Sequence, residues 1–336
     1  MEAVISNLEL WGWRDFFAKQ FPQSSETLAR VIKEERDHYL LINSLGITVG
    51  GVISGNWRKR RIDTENPSVG DWVVLKEKTN EKNGLTFYLI DERLKRFSQI
   101  IRKSAGPSDK SQLLAANIDV AFLVSSCNQD LEVRRIERYL SLLGDGEIKP
   151  ILILNKCDLP QFEHCRNKIS ERFPEIPLLL TRSDQPESID ALNSYLGKGI
   201  TSVFLGSSGV GKSTLTNHLA KNAKQIIQEI RDNDAKGRHT TTGRSMYLLS
   251  NQLGLVIDTP GLREVQLPIQ ENNFEEAFAS IVELSLQCRF PNCRHQTEPN
   301  CAVKNAVKEG LILQDRLEHF HKLKSEIDKK VYPRKK

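Results

Sequence analysis

Residues 151–160 read ILILNKCDLP, a short apolar run that ends in Asn155, Lys156, Cys157 and Asp158. This ending matches N-K-x-D, the pattern with which GTP-binding proteins read guanine. A carboxylate there accepts hydrogen bonds from guanine N1–H and the exocyclic amine, a donor pair that adenine lacks. Asp158 is therefore expected to select GTP over ATP. Asn155 is expected to support the loop and approach the purine edge, and Lys156 to pack its stem along the base.

Residues 206–214, GSSGVGKST, match the phosphate-binding pattern G-x-x-x-x-G-K-[ST]. The motif follows the apolar run SVFL and precedes a helical pattern, which is the context it requires; an incidental Gly-rich turn is the alternative. Lys212 would reach the β and γ phosphates, and the Ser213 hydroxyl would bind Mg²⁺. The predicted GTP-binding residues of this loop are Gly206, Ser207, Ser208, Gly209, Val210, Gly211, Lys212, Ser213 and Thr214.

Two further segments complete a predicted GTPase site. DTPG, residues 258–261, ends an apolar strand, so that Asp258 can hold Mg²⁺ through water and the Gly261 amide can meet the γ-phosphate. GRHTTTGR, residues 237–244, is polar and without apolar periodicity. Thr241, with the neighbouring threonines as alternatives, is expected to close over Mg²⁺ when the γ-phosphate is present.

The order of these motifs is unusual, because the base-reading loop precedes the phosphate-binding loop. A sheet whose termini lie close together tolerates circular permutation, so the same site can be assembled from a rotated order. The residue after DTPG is Leu262, where many signalling GTPases have the Gln that orients the attacking water. His239 or a partner must then position that water. The predicted catalytic residues are Lys212, Thr241 and His239.

Three of the six cysteines cluster near the C-terminus in CRFPNCRHQTEPNC, residues 288–301. Three thiolates and one imidazole suit a closed, tetrahedral, structural Zn²⁺ site. Three buried cysteines beside a surface His are the alternative. The predicted ligands are Cys288, Cys293, His295 and Cys301, whereas Cys127, Cys157 and Cys165 are expected to be packing residues.

The length, composition and net charge of the chain limit the classes of protein to which it can belong. The chain has 336 residues, 39% hydrophobic and 27% charged, with a net charge of +5. That length predicts two or three domains, and the charge permits an anionic partner. No signal peptide and no apolar run of roughly 20 residues is recognisable, so we expect a cytoplasmic protein without membrane contact.

The pattern of apolar and polar residues along the chain predicts a multi-domain protein with four segments. Residues 1–34 form an N-terminal extension, and residues 35–103 form a small β-barrel that includes the basic run NWRKRR. Residues 104–271 alternate apolar strands with helices, which predicts an α/β domain with a parallel sheet. Residues 272–336 are mostly helical, hold the cysteine cluster and end in a basic tail.

Together these motifs resemble the circularly permuted GTPases of small-subunit ribosome biogenesis, the ribosome small-subunit-dependent GTPase A family of bacteria. The match also includes VGDWVVL (69–75), AANIDVAFLV and EPNCAV. The resemblance implies an N-terminal OB-fold barrel, a central permuted P-loop GTPase domain with Mg²⁺ and GTP, and a C-terminal domain with one zinc ion. It also implies a monomer that binds the small ribosomal subunit and its rRNA, assists late maturation, and hydrolyses GTP under stimulation by the subunit.

Some positions depart from the family pattern. The second base-contacting loop, normally Ser-Ala, here reads TRSD (181–184), so that either Thr181 or Ser183 fills the place. A permuted GTPase acting on the large subunit, a P-loop ATPase or kinase, and an RNA-binding module with an inactive nucleotide site are the alternatives. The barrel together with the cysteine cluster counts against the first alternative. Asp158 counts against the second, and the intact set of site residues counts against the third.

Overall fold

The structure, a computed structural model of the protein, describes the greater part of the chain. The described residues are 7–21, 27–35, 38–55, 57, 65–82, 84–103, 111–127, 131, 133–144, 147–182, 185–207, 209–220, 244–249, 253–258, 278–314, 316–318, 320–321 and 324. The chain divides into two compact units. The first unit comprises residues 1–133 and 147–266, and the second comprises residues 134–146 and 267–336.

Strands dominate the first unit. In chain order they are β1 (Leu28–Glu34), β2 (Tyr39–Asn43), β3 (Thr48–Ile53), β4 (Trp72–Lys82), β5 (Leu85–Arg93), β6 (Gln99–Lys103), β7 (Ser111–Ala116), β8 (Val120–Ser126), β9 (Lys149–Asn155), β10 (Leu178–Thr181), β11 (Thr201–Gly206), β12 (Ser245–Leu248) and β13 (Leu255–Asp258).

Helices flank the strands of the first unit and form the second. They are α1 (Asp15–Ala18), α2 (Val133–Leu143), α3 (Phe162–Arg172), α4 (Pro186–Asp190), α5 (Lys212–Ala220), α6 (Ala279–Ser285) and α7 (Ala302–Lys308). The pattern ESIDALNSYL predicts one helix, whereas α4 passes into a 3₁₀ turn over Ala191–Tyr195. No described helix combines the length and the apolar character needed to cross a bilayer.

A parallel sheet forms the predicted α/β part, with the strand order β10-β9-β8-β11-β13. Its strands are apolar along their length because helices cover both faces of such a sheet. Phe122, Ile153, Phe204 and Val256 are buried in one cluster with Leu215 of α5. The antiparallel strand β12 extends the sheet beyond β13.

The predicted barrel consists of β1-β2-β3-β5-β4, and pairing of β1 with β4 closes it. Strands β3 and β5 are parallel, while the other neighbours in this barrel are antiparallel. The predicted extension ends at residue 34, yet Leu28–Glu34 is already a barrel strand. This strand also pairs with β12 at Lys33 and Ser245, so the barrel and the parallel sheet form one continuous sheet. The run NWRKRR lies outside the described residues except for Trp57.

Arg30 of β1 joins the barrel to the parallel sheet from inside the protein. Its Nε donates to the Gly70 carbonyl at 3.1 Å, and its Nη2 donates to the Asn117 carbonyl at 3.2 Å and to Thr201 Oγ1 at 3.0 Å. Burial lowers the pKa of Arg30 to about 9. These bonds compensate the desolvation of the guanidinium, because buried charges need hydrogen-bonding partners. They also fix the barrel to the first residue of β11.

The N-terminal segment, residues 7–21, packs on the same junction. Phe17 is fully buried, and its ring lies 5.7 Å from that of Trp13 and 6.0 Å from that of Trp72. Arg14 forms an ion pair with Asp119 at 2.7 Å, next to the start of β8. The segment therefore covers core residues of the barrel and is tied to the parallel sheet, which is a structural role that the sequence did not indicate.

The second unit has a small core of its own. Phe278, Ile281, Val303 and Phe320 pack together with Cys301. Within this unit α6 leads into the predicted metal-binding loop, and α7 follows it. The described strands and helices supply the three parts of the predicted fold class: a five-stranded barrel, an α/β part with a parallel sheet, and a mostly helical C-terminal region with a Cys/His cluster.

Candidate functional site

The residues predicted to bind nucleotide gather at one edge of the parallel sheet. Asn155, Gly206 and Asp258 are the last residues of β9, β11 and β13, and Thr181 is the last residue of β10. Parallel strands present their carboxyl ends on the same edge, and ligands of open α/β sheets bind there, where the strand order reverses. That reversal lies between β8 and β11, because the chain adds β9 and β10 on one side of β8 and β11 on the other.

The turn from β11 into α5 is the predicted phosphate-binding loop, and its backbone requires glycine. Gly206 has φ +156°, and a Cβ there would lie 2.4 Å from the Val124 carbonyl oxygen of the neighbouring strand. Gly209 and Gly211 have φ values of +81° and +105°. Side chains rarely adopt these conformations. The loop can therefore keep its curvature only with glycine at these positions.

Lys212 begins α5 and folds back over the loop. Its Nζ donates to the carbonyl oxygens of Gly206 at 2.7 Å and Ser207 at 2.5 Å. The ammonium group is thereby held on the concave side of the turn, beside backbone that can approach phosphate closely. Ser213 and Thr214 follow in the first turn of α5 and are exposed. Their hydroxyls can consequently reach a ligand in front of the helix.

The base-reading motif is bonded directly to this loop. The Asn155 Nδ2 donates to the Val210 carbonyl at 2.8 Å, and the Lys156 Nζ donates to the Gly209 carbonyl at 3.0 Å. Residues more than 50 positions apart in the chain thus meet in a single cradle. Asn155 is completely buried, and its amide is held by this contact with Val210.

Thr181 holds Asn155 from the other side. Its Oγ1 donates to Asn155 Oδ1 at 3.1 Å, and the side chain is fully buried. Both ends of the Asn155 amide are therefore occupied, one by Thr181 and one by Val210. Thr181 is thus a second support of the cradle, whereas Ser183 lies outside the described residues. The sequence did not indicate this contact, because the two residues lie 26 positions apart.

Lys156 turns the chain at the end of β9 with φ +61°, and Asp158 follows in an exposed turn. Cys157 places its Sγ 3.9 Å from that of Cys127 and donates to the Leu154 carbonyl at 3.0 Å. Burial raises the pKa of both thiols, which keeps them protonated and unreactive. The two cysteines therefore pack the base of this turn, in line with their predicted role, and leave Asp158 facing outwards.

Four predicted site residues fall outside the described part of the chain: Ser208, His239, Thr241 and Gly261. The described residues at or next to the two predicted switches are Arg244, the last residue of the segment 237–244, Ser245, which begins β12, and Asp258, which ends β13. Ser245 lies directly opposite Asp258 in the antiparallel pair.

The second unit brings its four predicted ligands together. The side-chain atoms of Cys288, Cys293, His295 and Cys301 all lie within 4.8 Å of one another. The sulfur atoms of Cys288 and Cys301 are 3.8 Å apart, and His295 Nδ1 is 3.3 Å from Cys301 Sγ and 3.6 Å from Cys288 Sγ. A tetrahedral zinc site with the usual bond lengths has ligand separations of about 3.6–3.8 Å. The cluster therefore fits a closed four-ligand metal site.

The surroundings shift Cys288 and His295 towards the forms that bind metal, whereas burial raises the pKa of the Cys293 thiol to about 11. Burial raises the pKa of the Cys288 thiol, but N–H groups of Val303 and Ala302 outweigh it, so the net pKa is lowered. Burial also lowers the pKa of His295, which keeps the imidazole neutral. A thiolate and a neutral imidazole are what a metal ion requires.

Glu298 organises the loop that carries these ligands. Its carboxylate accepts hydrogen bonds from the N–H groups of Arg294 at 2.9 Å, Gln296 at 2.9 Å and Thr297 at 3.1 Å. These bonds, with Arg294 first, lower the pKa of Glu298 to about 2. The bonds brace the turn at His295, whose φ is +60°. The sequence pattern identified the ligands but not this supporting residue.

The comparisons with known proteins show the family to which the chain belongs. The sequence model of the RsgA GTPase family matches residues 93–268. A Vibrio parahaemolyticus protein named small ribosomal subunit biogenesis GTPase RsgA 2 is 39% identical over 320 residues, covering 94% of this chain and 84% of that protein. A Methanosarcina acetivorans protein named small ribosomal subunit biogenesis GTPase RsgA is 39% identical over 265 residues, covering 78% and 70%.

Two solved structures share the arrangement of the chain. The crystal structure of YloQ, described as a circularly permuted GTPase, is 27% identical with a TM-score of 0.61, covering 92% of this chain and 96% of that one. The crystal structure of YjeQ from Thermotoga maritima is 25% identical with a TM-score of 0.62, covering 90% and 98%. The predicted permutation of the motifs is confirmed by this likeness.

Proposed function

The chain belongs to the RsgA GTPase family and is therefore a GTP hydrolase, and we propose that it assists the late maturation of the small ribosomal subunit and its rRNA. GTP is hydrolysed to GDP and phosphate, and the bound subunit stimulates the reaction. The protein acts as a cytoplasmic monomer. The names of the relatives support the role in subunit biogenesis. The residues of the cradle at the sheet edge support GTP binding and hydrolysis.

One observation carries the proposal: Asn155 and Lys156 bind the backbone of the phosphate-binding loop through Val210 and Gly209. These contacts hold the base-reading motif and the phosphate-binding loop at a separation that one bound nucleotide can span. Asp158, exposed beside them, accepts the guanine donors and rejects adenine. A site built to hydrogen-bond a substrate group rejects an analogue that lacks it by a large factor.

Hydrolysis follows from groups placed around the γ-phosphate. Lys212 neutralises charge on the β and γ phosphates, and such preorganised charge stabilises the transition state. Ser213, Asp258 and Thr241 would hold Mg²⁺, which would supply further charge neutralisation at the phosphates. The Gly261 amide meets the γ-phosphate, and His239 or the bound subunit orients the attacking water, because Leu262 cannot.

The metal site serves the structure of the second unit. We propose that Cys288, Cys293, His295 and Cys301 hold one Zn²⁺, because three thiolates and an imidazole leave no position open for catalysis. The small core around Phe278 and Phe320 gains a crosslink from this ion, which a unit of this size needs.

We also propose that the domains have separate roles. The barrel, predicted over residues 35–103 and starting with β1, and the zinc-binding domain, residues 272–336, contact rRNA. The basic run NWRKRR and the basic tail take part, since barrels of this type commonly bind nucleic acid. The permuted GTPase domain, residues 104–271, hydrolyses GTP in response to these contacts.

Sedimentation of the full-length protein with purified ribosomal subunits tests this function. The expected result is co-sedimentation with small subunits in the presence of a non-hydrolysable GTP analogue, weaker co-sedimentation with GDP, and none with large subunits. ATP in excess should leave binding unchanged. Equal binding to both subunits, or binding to the large subunit alone, would overturn the assignment of the partner.

A further inference from the structure

The strand β12 lies between the barrel and the strand that carries Asp258. Its first residue, Ser245, pairs with Lys33 of β1 on one side and with Asp258 of β13 on the other. Ser245 is also buried. Because both edges of β12 are bonded to neighbouring strands, a shift of β1 relative to β13 must move Ser245 and with it the backbone of Asp258.

Arg244, one residue earlier, reinforces the same junction with its side chain. Its Nη1 lies 3.4 Å from Glu34 Oε2 of β1 and donates to the Leu113 carbonyl of β7 at 2.5 Å. The side chain of Arg244 is 14% exposed and that of Glu34 is 40% exposed, so solvent screens the pair only in part. Arg244 thus ties three elements together: the barrel strand β1, the β6–β7 ribbon that leads from the barrel, and β12.

Burial raises the pKa of Glu34, and the charge of Arg244 opposes that effect. A carboxylate in such a place is costly unless a cation faces it. The pair is therefore placed to fix the barrel against β12.

We propose that Glu34 and Arg244 are positioning residues that transmit contact on the barrel to Asp258, so that binding of the ribosomal subunit accelerates GTP hydrolysis. This inference rests on the proposed function. When the barrel is held by its RNA partner, β1 takes a defined position, and the Glu34–Arg244 pair imposes that position on β12. The backbone pairing of Ser245 with Asp258 then aligns the Mg²⁺-binding carboxylate. Without the pair, the barrel still binds its partner, but this binding no longer aligns Asp258 in the nucleotide site.

The test compares GTP turnover of full-length Glu34→Gln, Arg244→Gln and the double variant. Matched controls are Arg166→Gln, which removes the exposed Arg166–Glu163 pair on α3, and Glu81→Gln, which removes the exposed Lys78–Glu81 pair in the barrel. Turnover is measured alone and with increasing small subunits. This gives the basal rate, the maximal stimulated rate and the subunit concentration for half-maximal stimulation.

We expect Glu34→Gln to keep its basal rate and its half-maximal subunit concentration within about twofold, while maximal stimulation falls by about fivefold or more. Arg244→Gln should lose stimulation to the same extent. The double variant should lose no more than either single variant, because the two residues act as one pair. Arg244→Lys, which keeps the charge, should retain most of the stimulation. Both control variants should be stimulated like the wild type.

Two results would overturn the inference. An unchanged ratio of stimulated to basal rate would do so, even if both rates fell, since a purely structural role predicts that pattern. Losses that multiply in the double variant would mean that the residues act independently. Absence of stimulation in the wild type would instead refute the proposed function on which the inference rests, and the wild-type measurement alone separates that case.

Discussion

Replacing Thr181 with Val tests whether support of Asn155 controls nucleotide binding. The substitution removes the hydroxyl that donates to Asn155 Oδ1 at 3.1 Å. It keeps the β-branched shape, which suits the strand. Asn155 would then lose the contact that orients its amide towards the Val210 carbonyl, 2.8 Å away. Thr181 is fully buried beneath Asn155.

The expected size follows from the burial of the group left behind. A buried acceptor that loses its donor costs about 1–3 kcal/mol. A difference of about 1.4 kcal/mol corresponds to tenfold in an equilibrium constant. Because Asn155 links the base-reading motif to the phosphate-binding loop, we expect most of this cost to appear in the ordering of the loop. GTP and GDP affinity should therefore fall by about tenfold.

The assay is a fluorescence titration with labelled GTP and GDP, accompanied by urea unfolding of the same samples. Ser202→Ala is the matched control, because its buried hydroxyl donates to the Leu255 carbonyl at 2.9 Å at the other end of β11. The control should lose stability by a similar amount but bind GTP within about twofold of the wild type. A Thr181→Val protein with lowered stability and unchanged GTP affinity would refute the reasoning.

Three further predictions address the other parts of the molecule. Lys212→Ala should lower single-turnover GTP hydrolysis by at least about 100-fold; unchanged turnover would mean that the site is assigned to the wrong lysine. Phe17→Ala should reduce the free energy of unfolding in urea by about 3–5 kcal/mol, since the ring is fully buried at the junction; a loss under 1 kcal/mol would show that the N-terminal segment is dispensable there. Glu298→Gln should weaken zinc affinity about tenfold or more in a chelator competition, and full removal of zinc should unfold the second unit in circular dichroism. A metal-free protein that kept this unit folded would contradict the structural role.

The motifs could be predicted because their chemistry demands particular residues at fixed spacing. The phosphate-binding loop needs glycine where the backbone comes close to Val124, and Lys212 must follow the last of these glycines. The metal ligands are recognisable for the same reason. The parallel strands were predictable because they are apolar along their length, as in the run ILILN that ends at Asn155.

The strand β1 shows where sequence reasoning stops. Its sequence, LARVIKE, places Arg30 and Lys33 inside the protein, although a buried strand normally reads as apolar. The partners of Arg30 are Trp11, Gly70, Asn117 and Thr201, which lie between 19 and 171 positions away. No local pattern records such partners. The contact between Thr181 and Asn155 escaped prediction for the same reason, since it depends on the register of β9 and β10.

The most direct test of the central proposal is GTP turnover by the purified protein, measured alone, with small subunits and with large subunits. We expect slow turnover by the protein alone, because Leu262 stands where a water-orienting Gln is found in many signalling GTPases. Small subunits should raise the rate strongly, and large subunits should not. Equal stimulation by both subunits, or turnover that no subunit changes, would contradict a GTPase switched on by the small ribosomal subunit.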